Sequence, residues 1–266
     1  MFNLLNRLIR RHLLFLTAAS LLLCGFEFML CALVSTFNIP AILTEVMKSL
    51  PPAAQDFISE QVLAGMTTRG LLAFGWNHPV TLALGAAVAI VPATRAIAGE
   101  IESGGMELLL SQPLARWQYL NAQVAFALFA IAALSAAGMI GTLAGQRTFA
   151  LGLLELRPLV QVVFNFFLLQ SAWFGLTLLL SVFGRESGHV VGTAFFLALV
   201  SYIVQVLGKI WPVMAGLLPF SLYNYYSSQD ILVQNHFSKS SVAILASVFL
   251  TGVGLAMWRF QRRDIP

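Results

Sequence analysis

From Leu13 to Val34 the chain is almost pure hydrocarbon for about 22 residues, long enough to cross the roughly 30 Å apolar core of a bilayer as one helix. Five more runs of similar length follow, at about 79–98, 120–143, 158–183, 189–207 and 242–257. Backbone amides in hydrocarbon have no water to bond, so each run is expected to pair its own amides as a helix. Soluble domains carry about 25% charged residues. Here 10% of 266 residues are charged, 59% are hydrophobic, and the mean hydropathy is +0.84. The expected fold class is an all-α integral membrane bundle of six transmembrane helices, a single domain over residues 1–266.

The net charge of +4 does not point to nucleic acid, because the basic residues sit as flanks of apolar runs. Membrane lipid is the expected neighbour. Arg7, Arg10 and Arg11 precede the first run, which is too long for a signal peptide and has no clear cleavage site. Phe2, Leu5, Leu8 and Ile9 repeat at helical spacing, which predicts a surface helix over 1–12. Residues 35–77 are more polar. Ile42, Val46 and Leu50, then Phe57, Ile58 and Val62, predict two short amphipathic helices broken at Pro40, Pro51 and Pro52, outside the membrane. Positive charge is densest when both termini, Arg95, Arg116 and Arg185 are cytoplasmic, so both termini are expected inside. Trp76, Trp117, Trp211 and Trp258 fall near span ends, as interfacial anchors would.

Polar residues within the runs are candidates for a pathway or a helix interface. They are Glu27 in the first span, Asn165 and Gln170 in the fourth, and Tyr202 and Gln205 in the fifth. An ionisable side chain at mid-span should face protein or water, and amides can equally serve as interhelical hydrogen bonds. Gly141 and Gly145 form a GxxxG, a weak packing signal because small residues are common in spans. Cys24 and Cys31 lie seven apart on one helix, too far for a disulfide. His12, His78, His189 and His236 are scattered and make no zinc spacing. No catalytic, metal or cofactor residues are expected on this chain. Pro219, Phe220, Tyr223, Tyr225 and Tyr226 follow the fifth span on the outer side. They read as an outer gate or as an aromatic belt.

The charged stretch AGEIESGGMELLLSQPLARWQYL, Ala98 to Leu120, separates the second and third runs. Gly104-Gly105 permits a sharp turn, and Pro113 favours a helix stop just before it. The expected form is helix, hinge, short helix and re-entry. Glu100, Gly104, Glu107, Leu109, Leu110, Pro113 and Arg116 resemble the loop motif of the ABC-2-type permeases, the membrane subunits of ABC exporters. LLPFSLYNYY and the terminal FQRRDIP resemble two further family segments, so the resemblance spans the chain. The family often has Gly-Thr at Gly104-Gly105 and a basic residue where Ile101 and Glu102 stand.

The resemblance implies a type V exporter permease and a site in the bacterial inner membrane. It implies a second permease copy, identical or different, and an unidentified export substrate. The chain has no G-x-x-x-x-G-K-[ST] loop, so ATP and Mg would sit on a separate ABC-type ATPase subunit. Residues 99–118 would be the coupling loop, with Glu100, Glu102, Gly104, Gly105, Glu107, Pro113 and Arg116 engaging that ATPase. A secondary transporter driven by an ion gradient, resting on Glu27, and a non-transporting scaffold remain the alternatives.

Overall fold

The computed structural model describes residues 2–36, 67–110, 115–152 and 155–263, with side chains at 7–36, 67–107, 115–152 and 155–263. The amphipathic helices expected around Ile42–Leu50 and Phe57–Val62, and Pro113, lie outside the described residues. Every regular element among the described residues is helical. Helix α1 spans Phe2–Thr36, α2 Thr68–Asn77, α3 Pro79–Thr94, α4 Glu100–Glu102 and α5 Gly105–Leu110. Then come α6 over Arg116–Thr148, α7 over Leu156–Phe183, α8 over Ser187–Ile210, α9 over Ser228–Leu232 and α10 over Lys239–Arg262. A π-helical turn, Arg95–Gly99, joins α3 to α4, and two 3-10 helices, Pro212–Phe220 and Leu222–Tyr225, follow α8. Six helical stretches are long and apolar enough to cross a membrane, matching the six expected runs.

Two expectations need correction. The surface helix over 1–12 is not a separate element: α1 runs unbroken from Phe2 to Thr36. No proline or glycine interrupts it before Gly25, so nothing in the sequence stops the helix where the bilayer would begin. Trp76 is not an interfacial anchor. It is fully buried, with its indole N–H donating to Thr142 Oγ1 at 3.3 Å, because the expected polar region ends in a further helix, α2. His78 is held extended before Pro79, as a residue preceding proline must be, and this breaks α2 from α3. Trp117, Trp211 and Trp258 are exposed, as anchors would be.

The segment after α8 turns at Trp211 and folds back along α8. Leu218 meets Gly208, and Ser221 Oγ donates to the Ser201 carbonyl at 2.7 Å. An apolar stretch this short cannot span a bilayer but can re-enter it.

Two parallel helix pairs frame the bundle, and glycine makes each possible. Helix α1 packs along α6, and α7 packs along α10. A Cβ at Gly141 would stand 2.9 Å from the Cα of Cys24, and one at Gly145 would meet Cys31. Gly175 and Gly252 face each other backbone to backbone, with a Cβ on Gly252 2.6 Å from the carbonyl carbon of Gly175. Small residues let helix backbones touch, which maximises dispersion contact where water supplies no hydrophobic drive. The GxxxG signal is therefore a real interface. Helices α3 and α7 run through the centre and are the most buried, while α8 and α10 expose wide apolar faces.

Candidate functional site

The loop between the second and third spans is built at one end of the bundle. Helix α3 reaches it through the π turn, and the cause of that turn is visible. In an α-helix the Ala98 N–H would bond the Thr94 carbonyl. Instead Ser181 of α7 is spliced between them: its Oγ accepts from Ala98 N–H at 3.0 Å and donates to the Thr94 carbonyl at 3.0 Å. A side chain inserted into the ladder widens it, and Pro92 just upstream has already removed one donor. Tyr119 OH reinforces the turn by donating to the Ala96 carbonyl at 2.7 Å, while accepting from Gln123 Nε2 at 2.9 Å.

Beyond the π turn, Glu100 pairs with Arg11 of α1. Glu102 accepts from both the backbone N–H (2.8 Å) and the hydroxyl of Ser187, the first residue of α8. A carboxylate there also suits the positive end of the helix dipole. Gly104 takes φ +70°, a left-handed conformation that glycine adopts without strain. Gly105 leaves room for Glu100, whose carboxylate fills the space a Cβ would need. The hinge pair thus divides two tasks. After it, α5 starts; Met106 is buried and Glu107 is exposed.

The C-terminal arginines close the same end. Arg116, opening α6, donates through Nη1 to the carbonyls of Phe260 (3.1 Å) and Arg263 (2.7 Å). Arg263 in turn donates to Val182 and Gly184, the last carbonyls of α7. A guanidinium at a helix C-terminus satisfies orphan carbonyls and complements the dipole. We expect Arg263→Ala to lower stability by about 2 kcal/mol, since the acceptors it leaves are partly buried. Arg263→Lys should restore part of this. Thermal unfolding in detergent reads both.

The polar span residues separate into distinct groups. Glu27 is 1% exposed and enclosed by α1, α2, α3 and α6. Thr81 Oγ1 lies 3.4 Å from Oε1 and Thr142 Oγ1 3.3 Å from Oε2. Each hydroxyl has one proton and a competing carbonyl, Gly75 at 2.8 Å and Gly138 at 3.2 Å, so the carboxyl is loosely held. Among the described residues no Lys, Arg or His pairs with it. Tyr226 OH donates to the Trp76 carbonyl at 2.8 Å, bringing one tyrosine of the outer segment into this cluster.

Tyr223 is also buried, tilted against Trp173 and edge-on to Tyr202 with centroids at 5.9 and 5.7 Å. Tyr225 donates to the Pro219 carbonyl at 2.8 Å, and Phe220 is 84% exposed. Of the five residues read as an outer gate or an aromatic belt, Tyr223 and Tyr226 are buried, Tyr225 is half-buried, and Pro219 and Phe220 are exposed. Gln205 is buried on α8. Asn165 Oδ1 and both amide atoms of Gln170 meet no hydrogen-bond partner, and Gln170 lies where Gly85 of α3 makes space for it.

Sequence reasoning missed Ser181 and Tyr119, and the contacts of Arg263, whose partners are backbone atoms far along the chain. It also missed the Ser201–Ser221 contact. No three His, Cys, Asp or Glu side chains converge as a metal site among the described residues.

No curated protein matches the chain. The profile of the family described as ABC-2 family transporter protein matches residues 7–265, almost the whole length. With six helices long and apolar enough to cross a membrane, this chain is an integral, multi-pass membrane protein that belongs to the ABC-2 family of transporters.

Proposed function

We propose that the chain is the permease subunit of an ABC exporter, non-catalytic itself and driven by a separate ATPase that binds ATP and Mg. The observation that carries this reading is the triple tether of the 99–118 loop. Glu100 ties it to α1 through Arg11, Glu102 ties it to the start of α8, and Ser181 ties its root to α7. A push on α5 is thereby delivered to three spans at once. Glu107 stands exposed on α5, free to meet a basic groove of the ATPase. Two such permeases would form the pathway, in the inner membrane of a bacterium, with the Arg11–Arg263 end in the cytoplasm. ATP-driven closure would rock the spans between inward and outward access. Glu27, the residue behind an ion-driven alternative, is enclosed among four helices and meets no described cation, so no second reading is favoured.

Glu107→Arg tests this. Reversing a charge at a docking contact removes on the order of 2–5 kcal/mol of affinity, well over tenfold. The ATPase recovered with the tagged chain in mild detergent should fall at least that much, while membrane insertion is unchanged. Undiminished recovery and ATP turnover would sink the coupling role of the loop.

A further inference from the structure

Between α7, α8, α10 and the re-entrant segment lies a partly open cleft of about 530 Å³, lined by Trp173, Leu197, Val200, Val204, Leu217 and Val248 among others. The volume is that of a small-molecule site. Its chemistry is one-sided. The hydroxyls at its wall, Ser201 and Ser221, are already engaged: Ser221 donates to the Ser201 carbonyl, and Ser201 Oγ accepts from Leu222 N–H at 3.1 Å. Such a cleft offers water little to bond, and apolar cavities stay dry.

The position says what fills it. Val200 to Val204 lies about 14 Å below Trp211 along α8, at 1.5 Å per residue. Trp211 is exposed at the end of that helix, where an interfacial indole marks the head-group level. Half of a 30 Å hydrocarbon core is about 15 Å. A chain whose head group sits beside Trp211 therefore reaches the cleft with its tail. The flanking side chains Val213 and Phe220 are 95% and 84% exposed, as residues bathed in hydrocarbon are. The exposed face of α8 formed by Phe196, Leu199 and Ile203 points roughly a third of a turn away from the cleft. A second copy docked on that face would leave the cleft open.

We propose that this cleft binds one acyl chain of a lipid from the leaflet at the Trp211 end. The site depends on α8 lying in a bilayer and not on the exporter reading.

The test uses the full chain in phosphatidylcholine nanodiscs doped with a phosphatidylcholine carrying a diazirine midway along one acyl chain. After irradiation, adducts are mapped by peptide mass spectrometry. We expect adducts at Val200, Val204 or Leu217 to exceed those at Leu250 and Leu255, exposed residues of α10 that report ordinary surrounding lipid. Val200→Trp fills the cleft and should lower the cleft adducts at least tenfold without changing those on α10. Leu217→Trp serves the same purpose if Val200→Trp fails to fold. Native mass spectrometry after delipidation should retain one lipid per wild-type chain and none in the filled variant. Even labelling of cleft and α10 means surrounding lipid only and overturns the proposal. So does a cleft that stays unlabelled because protein occupies it.

Discussion

Gly141→Ala is expected to weaken the bundle by about 3 kcal/mol, the upper range for overpacking. In a chain of this size that is a fall of roughly 6–12 °C in apparent Tm. The added methyl would meet the backbone of Cys24, its Cα at 2.9 Å and its carbonyl oxygen closer still. A flexible side chain could swing aside; a helical backbone cannot, so α1 and α6 must part. Their separation would also pull Glu27 from Thr142 and open the cluster around Trp76. Gly254→Ala is the control, because a Cβ there meets nothing within 4 Å. It should be neutral or slightly stabilising, by up to about 1 kcal/mol, since alanine is the better helix former. Thermal unfolding of both variants in one detergent decides. Equal melting temperatures would mean that α1 and α6 do not touch through Gly141.

Ser181→Ala is expected to act on both stability and coupling. It removes the hydroxyl that joins Ala98 N–H to the Thr94 carbonyl. Either the two groups stay buried and unpaired, at about 1–3 kcal/mol each, or the π turn tightens into regular α-helix and the ladder closes. Tightening would rotate Glu100 and Glu102 relative to Arg11 and Ser187 and break the tethers of the loop. A stability loss of about 2–6 kcal/mol with reduced ATPase stimulation fits the first course. Near-normal stability with lost stimulation fits the second. A variant normal in both would remove Ser181 from the force path. Ser181→Thr keeps the hydroxyl and should retain most of the coupling.

The spans were legible because length and hydropathy suffice to identify a helix that hydrocarbon surrounds. What escaped depended on partners distant in sequence. Thr68–Asn77 carries Arg69, two glycines and Asn77, and so reads as polar loop; it is a helix whose Trp76 is received by Thr142 of α6. Pro212–Phe220 is apolar throughout, which fits a re-entrant segment, yet its return path is fixed by one serine pair. Within the candidate site, Glu27, Asn165 and Gln170 announced themselves by polarity in an apolar run. Ser181 did not. Serine and threonine in helices commonly bond their own i−4 carbonyl, as Ser171 and Thr177 do on the same helix. Nothing local distinguishes Ser181, which reaches across to another helix instead.

The glycine contacts also bear on how many independent parts the molecule has. Helices whose backbones touch cannot slide past one another without climbing over carbonyl oxygens, so each glycine-matched pair travels as one beam. Six spans then reduce to two beams, α1 with α6 and α7 with α10, and two single rods, α3 and α8. Ser181 pins the base of one rod to the second beam, and Glu102 joins that rod to the foot of the other. An assembly so linked has few degrees of freedom, and a small displacement at one joint is a displacement of the whole frame.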